Sequence, residues 1–251
     1  MRIVIKVGTQ VLVGKNGLNQ KKIGNLIKQI SLLLKREIEV VLVSSGAIGA
    51  GLPKVPFISP LRKKIAAAIG QPILMHNYYR EAKKYKISIG QILILSEDFT
   101  NQKHFKNFVL SIEAMLSHKI LPIINENDVM KREDLTIGDN DTLGAMVAVG
   151  LKANKLVILT NQNGLYTSNP DHNKNAKLVK KVTNINSKIE KLCSLDKSDL
   201  GLGGMLSKIQ AAKYATKYGV ETLIGNGNKK DIITSVLSKN FPGTKFKAKT
   251  L

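Results

Sequence analysis

Apolar segments of strand length alternate with longer segments of helical period along nearly the whole chain. Residues 2–7 form the first apolar segment, and residues 20–35 follow with Ile and Leu at helical spacing. Strands that are apolar throughout need cover on both faces, which parallel sheets with crossover helices provide. The same pattern predicts strands at 2–7, 39–43, 89–95, 120–124, 155–160 and 220–224, and helices at 20–35, 60–69, 73–86, 105–118, 141–152 and 204–218. The sequence therefore predicts an α/β fold with a central, mostly parallel sheet.

This alternation continues without a low-complexity linker or an internal repeat, so we predict a single domain over residues 1–251. A chain of this length is sufficient for one large α/β domain. The polar, Asn- and Lys-rich stretch 167–200 is the least regular part, and we expect surface loops or a flap there. No apolar stretch approaches the roughly 20 residues of a membrane helix. The absence of a signal-peptide pattern and the single cysteine, Cys193, predict a cytoplasmic protein without a membrane partner.

The net charge of +21 is the unusual feature of the composition, with 39 Lys and Arg against 18 Asp and Glu. Such a charge favours nucleic-acid binding, but the excess is almost entirely lysine, spread along the chain and not interleaved with aromatic residues. We therefore predict no specific nucleic-acid partner and interpret the charge as a compositional bias. A basic regulatory or RNA-binding protein is the alternative. The positive field would attract anionic substrates such as ATP and dicarboxylates.

Glycine turns carrying polar and charged side chains follow several of the predicted strands or open predicted helices. Ligands of α/β folds bind at the carboxyl ends of the strands, where glycine lets backbone amides approach a phosphate. The segments are Lys-Val-Gly-Thr at 6–9, Val-Ser-Ser-Gly-Ala-Ile-Gly-Ala-Gly at 43–51, Asn-Glu-Asn-Asp at 125–128 with Gly-Asp-Asn-Asp at 138–141, and Gly-Leu-Gly-Gly-Met-Leu-Ser-Lys at 201–208. Taken singly, each also fits an ordinary turn, cap or solvated charge.

Taken together, these segments suit phosphoryl transfer to a small acid. Lys6 and Lys208 can neutralise charge on a moving phosphoryl group and on the leaving nucleotide. An attacking carboxylate is already ionised at pH 7 and needs no general base. Polar groups such as Ser45 and Asn140 suit an amino-acid substrate. The sequence contains no Walker A spacing, no protein-kinase signature and no Cys/His cluster with metal-ligand spacing.

The chain resembles the amino acid kinase family nearly from end to end, and within it the members that phosphorylate glutamate. The pairing of Asn-Glu-Asn-Asp with Gly-Asp-Asn-Asp distinguishes these from the carbamate, aspartate, acetylglutamate and UMP kinases of the same family. The matching motifs are Lys6-Val7-Gly8-Thr9-Gln10-Val11-Leu12, Ser44-Ser45-Gly46-Ala47-Ile48, Ala68-Ile69-Gly70-Gln71, Ile123-Ile124-Asn125-Glu126-Asn127-Asp128, Gly138-Asp139-Asn140-Asp141, Gly164-Leu165-Tyr166 and Gly203-Gly204-Met205-Leu206-Ser207-Lys208.

This resemblance implies a three-layer αβα sandwich and transfer of the γ-phosphate of ATP to the side-chain carboxylate of L-glutamate, the first step of proline biosynthesis. It implies catalytic roles for Lys6 and Lys208 on the phosphoryl group, with Asp141 orienting them. The implied glutamate pocket consists of Ser45, Asp128, Asp139 and Asn140. The implied nucleotide site lies on segments 160–166 and 202–208 and takes in Lys6, Thr160, Asn161, Leu202, Gly203, Gly204, Met205 and Lys208.

Further expectations follow from the same resemblance. Mg²⁺ is expected to be held mainly by the phosphates of ATP. Proline is the expected feedback inhibitor, and a dimer or tetramer is the expected assembly. Many relatives carry a C-terminal domain like that of RNA-modifying enzymes, for which this sequence leaves no room. The chain departs from the family pattern at Thr136, Asn161 and Leu202, where lysine, aspartate and threonine are usual. Lys131 and Arg132 are candidate substitutes for the missing lysine. A kinase for another small carboxylic acid is the alternative within the fold.

Overall fold

The central sheet has eight strands in the part of the chain that the computed structural model describes, residues 1–14, 17–131, 139–194 and 204–249. Their order is β5-β6-β4-β1-β7-β9-β10-β8, and every neighbouring pair is parallel except β9 with β10. Strands β2 and β3 form a separate two-stranded hairpin. The strands are β1 Arg2–Val7, β2 Val13–Gly14, β3 Gly17–Leu18, β4 Glu39–Ser44, β5 Ser88–Ile94, β6 Ile120–Glu126, β7 Lys155–Thr160, β8 Lys181–Val182, β9 Glu221–Asn226 and β10 Thr244–Phe246.

Helices cover both faces of this sheet. Within the described residues they are α1 Thr9–Leu12, α2 Gln20–Leu34, α3 Ala47–Gly51, α4 Arg62–Lys83, α5 Gln102–Ser117, α6 Asn140–Gly150, α7 Ser187–Ser194 and α8 Met205–Lys217. Helices α2 and α4 pack on one face, and α5, α6 and α8 pack on the other, so that two apolar cores are separated by the sheet. The prediction of a mostly parallel sheet in a three-layer αβα sandwich is confirmed.

The alternation of side chains along β1 determines which layer its lysine enters. Ile3 and Ile5 belong to the core beneath α2 and α4, whereas Val4 belongs to the core beneath α6 and α8. Successive side chains of a strand point to opposite faces. Lys6 therefore leaves the sheet on the side of α6 and α8, at the carboxyl end of the strand.

Two helices predicted at 60–69 and 73–86 are a single helix, α4, and that part of the prediction was wrong. Gly70 and Pro72 lie between the two predicted helices, and a proline inside a helix lacks an N–H and crowds the preceding turn. The helix continues because residues on both sides of Pro72 are held by packing. An added Cβ at Gly70 would lie 1.8 Å from the carbonyl oxygen of Ala47, so α3 and α4 meet backbone to backbone there. Beyond the proline, Tyr78 is fully buried.

Further departures from the predicted pattern are found at the far edge of the sheet, at β8 and β10. The stretch 167–200, predicted as loops or a flap, contains β8 and α7 in its described part. Strand β10 was not predicted, and its antiparallel pairing with β9 is the exception in the sheet. These strands have two and three residues, too few for a periodic signal. Among the described residues, no helix has both the length and the apolar character needed to cross a membrane.

Candidate active site

The parallel strands bring their carboxyl ends to one edge of the sheet, where most of the predicted site residues lie. Lys6 is next to the last residue of β1, and Ser45 directly follows β4. Asn125 is near the end of β6, and Thr160 ends β7. The backbone N–H of Ser45 donates to the carbonyl of Val7 at 3.1 Å, which continues the β1–β4 pairing into the turn.

Two lysines share one buried carboxylate at this edge. Lys6 Nζ lies 2.6 Å from Asp141 Oδ1, and Lys208 Nζ lies 3.0 Å from Asp141 Oδ2. The side chain of Asp141 is fully buried, and those of the lysines are 6% and 8% exposed. Two ammonium groups and one carboxylate leave this cluster with a net positive charge in a poorly solvated place, where an anion is strongly favoured. The structure thus brings together Lys6, Asp141 and Lys208, which lie far apart in sequence.

Helix α6 presents Asp141 to the lysines from its first turn. The Asp139 side chain caps the helix by accepting the N–H groups of Asp141 and Thr142 at 3.0 and 3.2 Å. Gly144 lets the helix approach β1 closely, since an added Cβ there would lie 3.1 Å from Lys6 Cβ. These two features set the depth at which the Asp141 carboxylate meets Lys6.

Helix α8 presents Lys208 from its own first turn. Gly204 precedes the helix, and its carbonyl accepts a hydrogen bond from Ser207 Oγ at 2.9 Å. The same hydroxyl lies 3.1 Å from Asp141 Oδ2, so Ser207 links the start of α8 to the shared carboxylate. Ser207 was not predicted as a site residue, although it is part of the 201–208 motif.

The charges around Asp141 determine its protonation state. Burial alone raises the pKa of this carboxyl group, but the ammonium groups of Lys6 and Lys208, and their hydrogen bonds, outweigh that effect. The net result lowers the pKa of Asp141 from 3.8 to about 2. Asp141 is therefore an anion throughout the physiological range and holds the lysines rather than exchanging protons.

A second, polar cluster lies beside the charged one. Asn140 Nδ2 donates to Ser45 Oγ at 2.8 Å and to Asn125 Oδ1 at 3.1 Å. Asn125 Nδ2 in turn donates to Gln71 Oε1 at 2.9 Å. Among the described residues, the buried Asn140 Oδ1 and Asp139 Oδ2 atoms have no hydrogen-bond partner. Buried acceptors without partners are uncommon in folded proteins, and they suit a ligand that brings donors.

Asp128 lies in the turn after β6, where its backbone N–H donates to the carbonyl of Glu126 at 2.9 Å. Burial raises the pKa of its carboxyl group, the charge of Glu126 raises it further, and Lys131 lowers it, with a net value of about 6. Lys131 itself is paired with Glu126, 2.6 Å between Nζ and Oε2. Thr136 and Arg132, and the glycine at 138, lie outside the described residues.

The structure describes some of the residues predicted to bind the nucleotide. Thr160 Oγ1 donates to Asn161 Oδ1 at 3.2 Å, directly beyond the sheet edge. Gly204 precedes α8 and Met205 begins it, and Met205 lines a small pocket together with Leu165, Tyr166 and Leu192. This pocket lies between the segment after β7, helix α7 and the start of α8. Leu202 and Gly203 lie outside the described residues.

The family assignment rests on a match over most of the chain. The sequence model of the amino acid kinase family matches residues 1–226. The chain belongs to the amino acid kinase family. The match extends from β1 to the end of β9 and includes the described residues of both clusters.

Several curated members of the family are similar to this chain over almost its whole length. Glutamate 5-kinase of Clostridium acetobutylicum is 43% identical over 251 residues, which cover 98% of this chain and 94% of that protein. Glutamate 5-kinase of Clostridium tetani is 39% identical with the same coverage. Glutamate 5-kinase of Syntrophus aciditrophicus is 37% identical, and there the match covers 98% of this chain and 65% of the relative.

Solved structures of more distantly similar proteins share the fold. Carbamate kinase from Giardia lamblia bound to AMP-PNP superposes with a TM-score of 0.69 at 14% identity, covering 98% of both chains. The product complex of isopentenyl phosphate kinase from T. acidophilum gives a TM-score of 0.66 at 18% identity, covering 98% of this chain and all of the other. At these identities the likeness concerns the fold alone.

Sequence reasoning missed some residues that build the two clusters. Asn125 and Gln71 lie within motifs that carry the family resemblance, but neither was assigned to the site. Gly144 carries no functional side chain, so only the close approach of α6 to β1 reveals its role. A buried amide at the end of a strand, as at Asn125, was the available signal, because such a group needs hydrogen-bond partners.

Proposed function

We propose that this protein transfers the γ-phosphoryl group of ATP to the side-chain carboxylate of L-glutamate, giving glutamyl 5-phosphate, the first step of proline biosynthesis. The observation that carries the proposal is the pair of buried ammonium groups held on Asp141 beside a cluster of unsatisfied polar acceptors. The first feature suits a phosphoryl group in transfer, and the second suits an amino acid. The relatives named glutamate 5-kinase support the same substrate.

In the proposed reaction, an oxygen of the glutamate side chain attacks the γ-phosphorus of ATP. The bond from that phosphorus to the bridging oxygen breaks, and ADP leaves with the electron pair. Glutamate has an ordinary side-chain pKa of about 4.3, so its carboxylate is ionised at pH 7 and requires no general base. Lys6 and Lys208 stabilise the charge on the phosphoryl and ADP oxygens, and Asp141 fixes their positions.

The nucleotide is proposed to lie along the segment that follows β7 and against the start of α8. Thr160, Asn161, Gly204 and Met205 border this region, and the backbone N–H groups at the start of a helix are free to meet a phosphate. Glutamate is proposed to occupy the cluster of Ser45, Asp128, Asp139 and Asn140. The two substrates then meet at the shared carboxylate of Asp141.

Mg²⁺ is proposed as the companion of ATP. No group of three or more His, Cys, Asp or Glu side chains among the described residues could hold a metal ion. Mg²⁺ held mainly by phosphate oxygens is the usual mode of binding in phosphoryl-transfer sites, and we propose the same mode for this protein. When bound, the ion neutralises charge on those oxygens.

The direct test is to trap the product as a hydroxamate. Incubation with ATP, Mg²⁺, hydroxylamine and L-glutamate is expected to give glutamyl hydroxamate in proportion to ADP. Aspartate and acetylglutamate should give little or none. Product with either of these but not with glutamate would indicate another small-acid kinase of the same fold. No product with any acid would indicate a member without this activity.

Regulation and assembly complete the proposal. We propose that proline inhibits the reaction and that the protein assembles as a dimer or tetramer. Addition of proline to the hydroxamate assay tests the first point, with leucine as the control. Light scattering of the purified protein after gel filtration tests the second, and a monomeric mass at assay concentration would contradict it.

A further inference from the structure

A continuous chain of hydrogen bonds leads from helix α4 into the polar cluster. Gln71 Oε1 accepts from Asn125 Nδ2 at 2.9 Å, and Asn125 Oδ1 accepts from Asn140 Nδ2 at 3.1 Å. Asn140 Nδ2 also donates to Ser45 Oγ at 2.8 Å. Asn125, which links Gln71 to Asn140 in this series of hydrogen bonds, is 1% exposed. Gln71 belongs to a helix that contributes none of the residues assigned so far to catalysis or substrate binding.

The direction of every bond in this chain is fixed by one backbone group. The N–H of Glu126 donates to Asn125 Oδ1 at 2.9 Å, and a backbone N–H can only donate. The oxygen of the Asn125 amide must therefore face Glu126, and its nitrogen must face Gln71. Because Asn125 Oδ1 is an acceptor, the atom of Asn140 that meets it must be the nitrogen. The oxygen and nitrogen of these amides, which resemble each other in shape, are thus distinguished by hydrogen bonding.

This direction determines what Asn140 offers to a ligand. Both N–H groups of its amide are used within the protein, so the remaining group is the carbonyl oxygen, Oδ1. Asp139 Oδ2, on the preceding residue, is a second buried acceptor without a partner among the described residues. An α-ammonium group has three N–H donors and no acceptor, so it matches these acceptors, whereas a carboxylate would be repelled by them.

We propose that Gln71 is a positioning residue for amino-group recognition. It holds Asn125 in one orientation, Asn125 holds Asn140, and Asn140 turns its carbonyl oxygen toward the α-ammonium group of the substrate. This inference rests on the proposed function, because it takes glutamate as the ligand. It goes beyond that function by assigning selectivity for an amino acid over the corresponding dicarboxylic acid to a residue that does not contact the substrate.

The test compares L-glutamate with glutarate, which has both carboxylates and lacks the amino group. Gln71→Leu removes the acceptor for Asn125 Nδ2, so the buried amide is held through its oxygen alone and loses the bond that ties its nitrogen to α4. The kcat/KM ratio of glutamate over glutarate is expected to fall by about tenfold or more, the value of one hydrogen bond to a charged group. The loss should appear in the KM for glutamate, with the KM for ATP and the kcat within a few-fold.

Two further variants separate positioning from a structural effect. Gln71→Glu keeps an oxygen acceptor at the same place and is expected to retain the selectivity ratio. Gln29→Leu removes another buried glutamine, whose Oε1 accepts from the N–H of Ile233 at 2.8 Å. It controls for the loss of any buried amide and should leave the ratio unchanged.

Equal changes for glutamate and glutarate in Gln71→Leu would overturn the inference, as would a loss of selectivity in Gln29→Leu of the same size. These outcomes differ from failure of the proposed function, which would appear as absence of glutamate-dependent product in the unmodified protein. Activity of the unmodified protein with glutamate, combined with an unaltered ratio in Gln71→Leu, would retain the kinase and exclude the positioning role.

Discussion

Lys6 Nζ lies 2.6 Å from Asp141 Oδ1, across 135 positions of sequence, and the two side chains are almost inaccessible to solvent. The other oxygen of the same carboxylate holds Lys208. Asp141 therefore fixes the separation of two ammonium groups, one reaching it from strand β1 and the other from helix α8. The fold supplies this relationship because the start of α6, the start of α8 and the end of β1 meet at one edge of the sheet.

The lysines are expected to act on the reaction rate rather than on glutamate binding. Removing a charge aimed at a developing transition-state charge typically lowers the rate by about 10²–10³-fold. Lys208→Ala and Lys6→Ala should therefore lower kcat to that extent and leave the KM for glutamate within a few-fold. Lys213→Ala provides the matched control, because Lys213 belongs to the same helix but pairs with Glu190 at the surface. A Lys208→Ala enzyme with normal kcat would remove this residue from the mechanism.

Loss of the shared carboxylate is expected to lower the stability of the fold as well as the reaction rate. Asp141→Asn leaves two buried ammonium groups without a counter-charge, and breaking a buried ion pair typically costs about 3–5 kcal/mol. Denaturant unfolding at pH 7 should show a fall in the free energy of unfolding of this order. Asp171→Asn, which alters an exposed turn, is the control and should change little.

The pH dependence of stability gives a second measure of the same pairing. The folded pKa of Asp141, about 2, lies below its ordinary 3.8, so its contribution is present above about pH 4 and is lost as the pH falls toward 2. In Asp141→Asn this part of the acid dependence should be missing. An identical acid profile for both proteins would contradict the low pKa.

The charged cluster could be predicted from the sequence, whereas the chain of amides could not. Lys6 is at the end of a predicted strand and Lys208 lies in a glycine-rich segment that opens a predicted helix, so both were expected at one phosphoryl site, and the family resemblance added Asp141. The bond between Asn125 and Gln71 depends on where α4 crosses the sheet. That crossing rests on the contact of Gly70 with Ala47, a long-range packing relationship that periodicity does not encode.

The outer strands at the β8 side of the sheet could not be predicted, for a different reason. Strand β10 has three residues, and its place is fixed by backbone pairing with β9 rather than by its own sequence. The Thr244 hydroxyl bonds to the backbone of Leu165 and Val179, which ties this edge to the segment after β7. Tertiary contacts of this kind determine short strands, whose intrinsic preference is weak.

Glutamate binding is expected to depend on the ionisation of Asp128. Its pKa is about 6, raised from 3.8, so the anion that would attract an α-ammonium group is lost as the pH falls below 6. The KM for glutamate should rise between pH 7 and 5, a range above the side-chain pKa of free glutamate, about 4.3. The KM for ATP should change little. Asp128→Asn should have a high KM for glutamate at every pH, and a persistent step in that variant would assign the titration to another group.

Substitution by glycine after three of the helices is expected to stabilise the folded protein. Lys86, Lys119 and Lys152 follow α4, α5 and α6 with φ of 57°, 57° and 49°, a conformation that costs a residue with a Cβ about 1–2 kcal/mol. Glycine at each position should raise the free energy of unfolding by about 1 kcal/mol. Lys35→Gly is the control, since Lys35 caps α2 with φ of −62° and should lose stability. Destabilisation by Lys152→Gly would contradict this explanation.

The net charge of +21 is expected to produce only weak, salt-sensitive binding to nucleic acid. Lysines spread over a surface attract phosphates mainly by releasing counterions, so affinity should fall by orders of magnitude between about 50 and 200 mM salt. Kinase activity should change little over that range, because the charges on Asp141, Lys6 and Lys208 are buried and poorly screened. Fluorescence anisotropy with RNA at both salt concentrations, beside the kinase assay, makes the comparison. Sequence-selective binding that survives about 200 mM salt would show that the lysines form a specific nucleic-acid surface, since non-specific contacts are lost there.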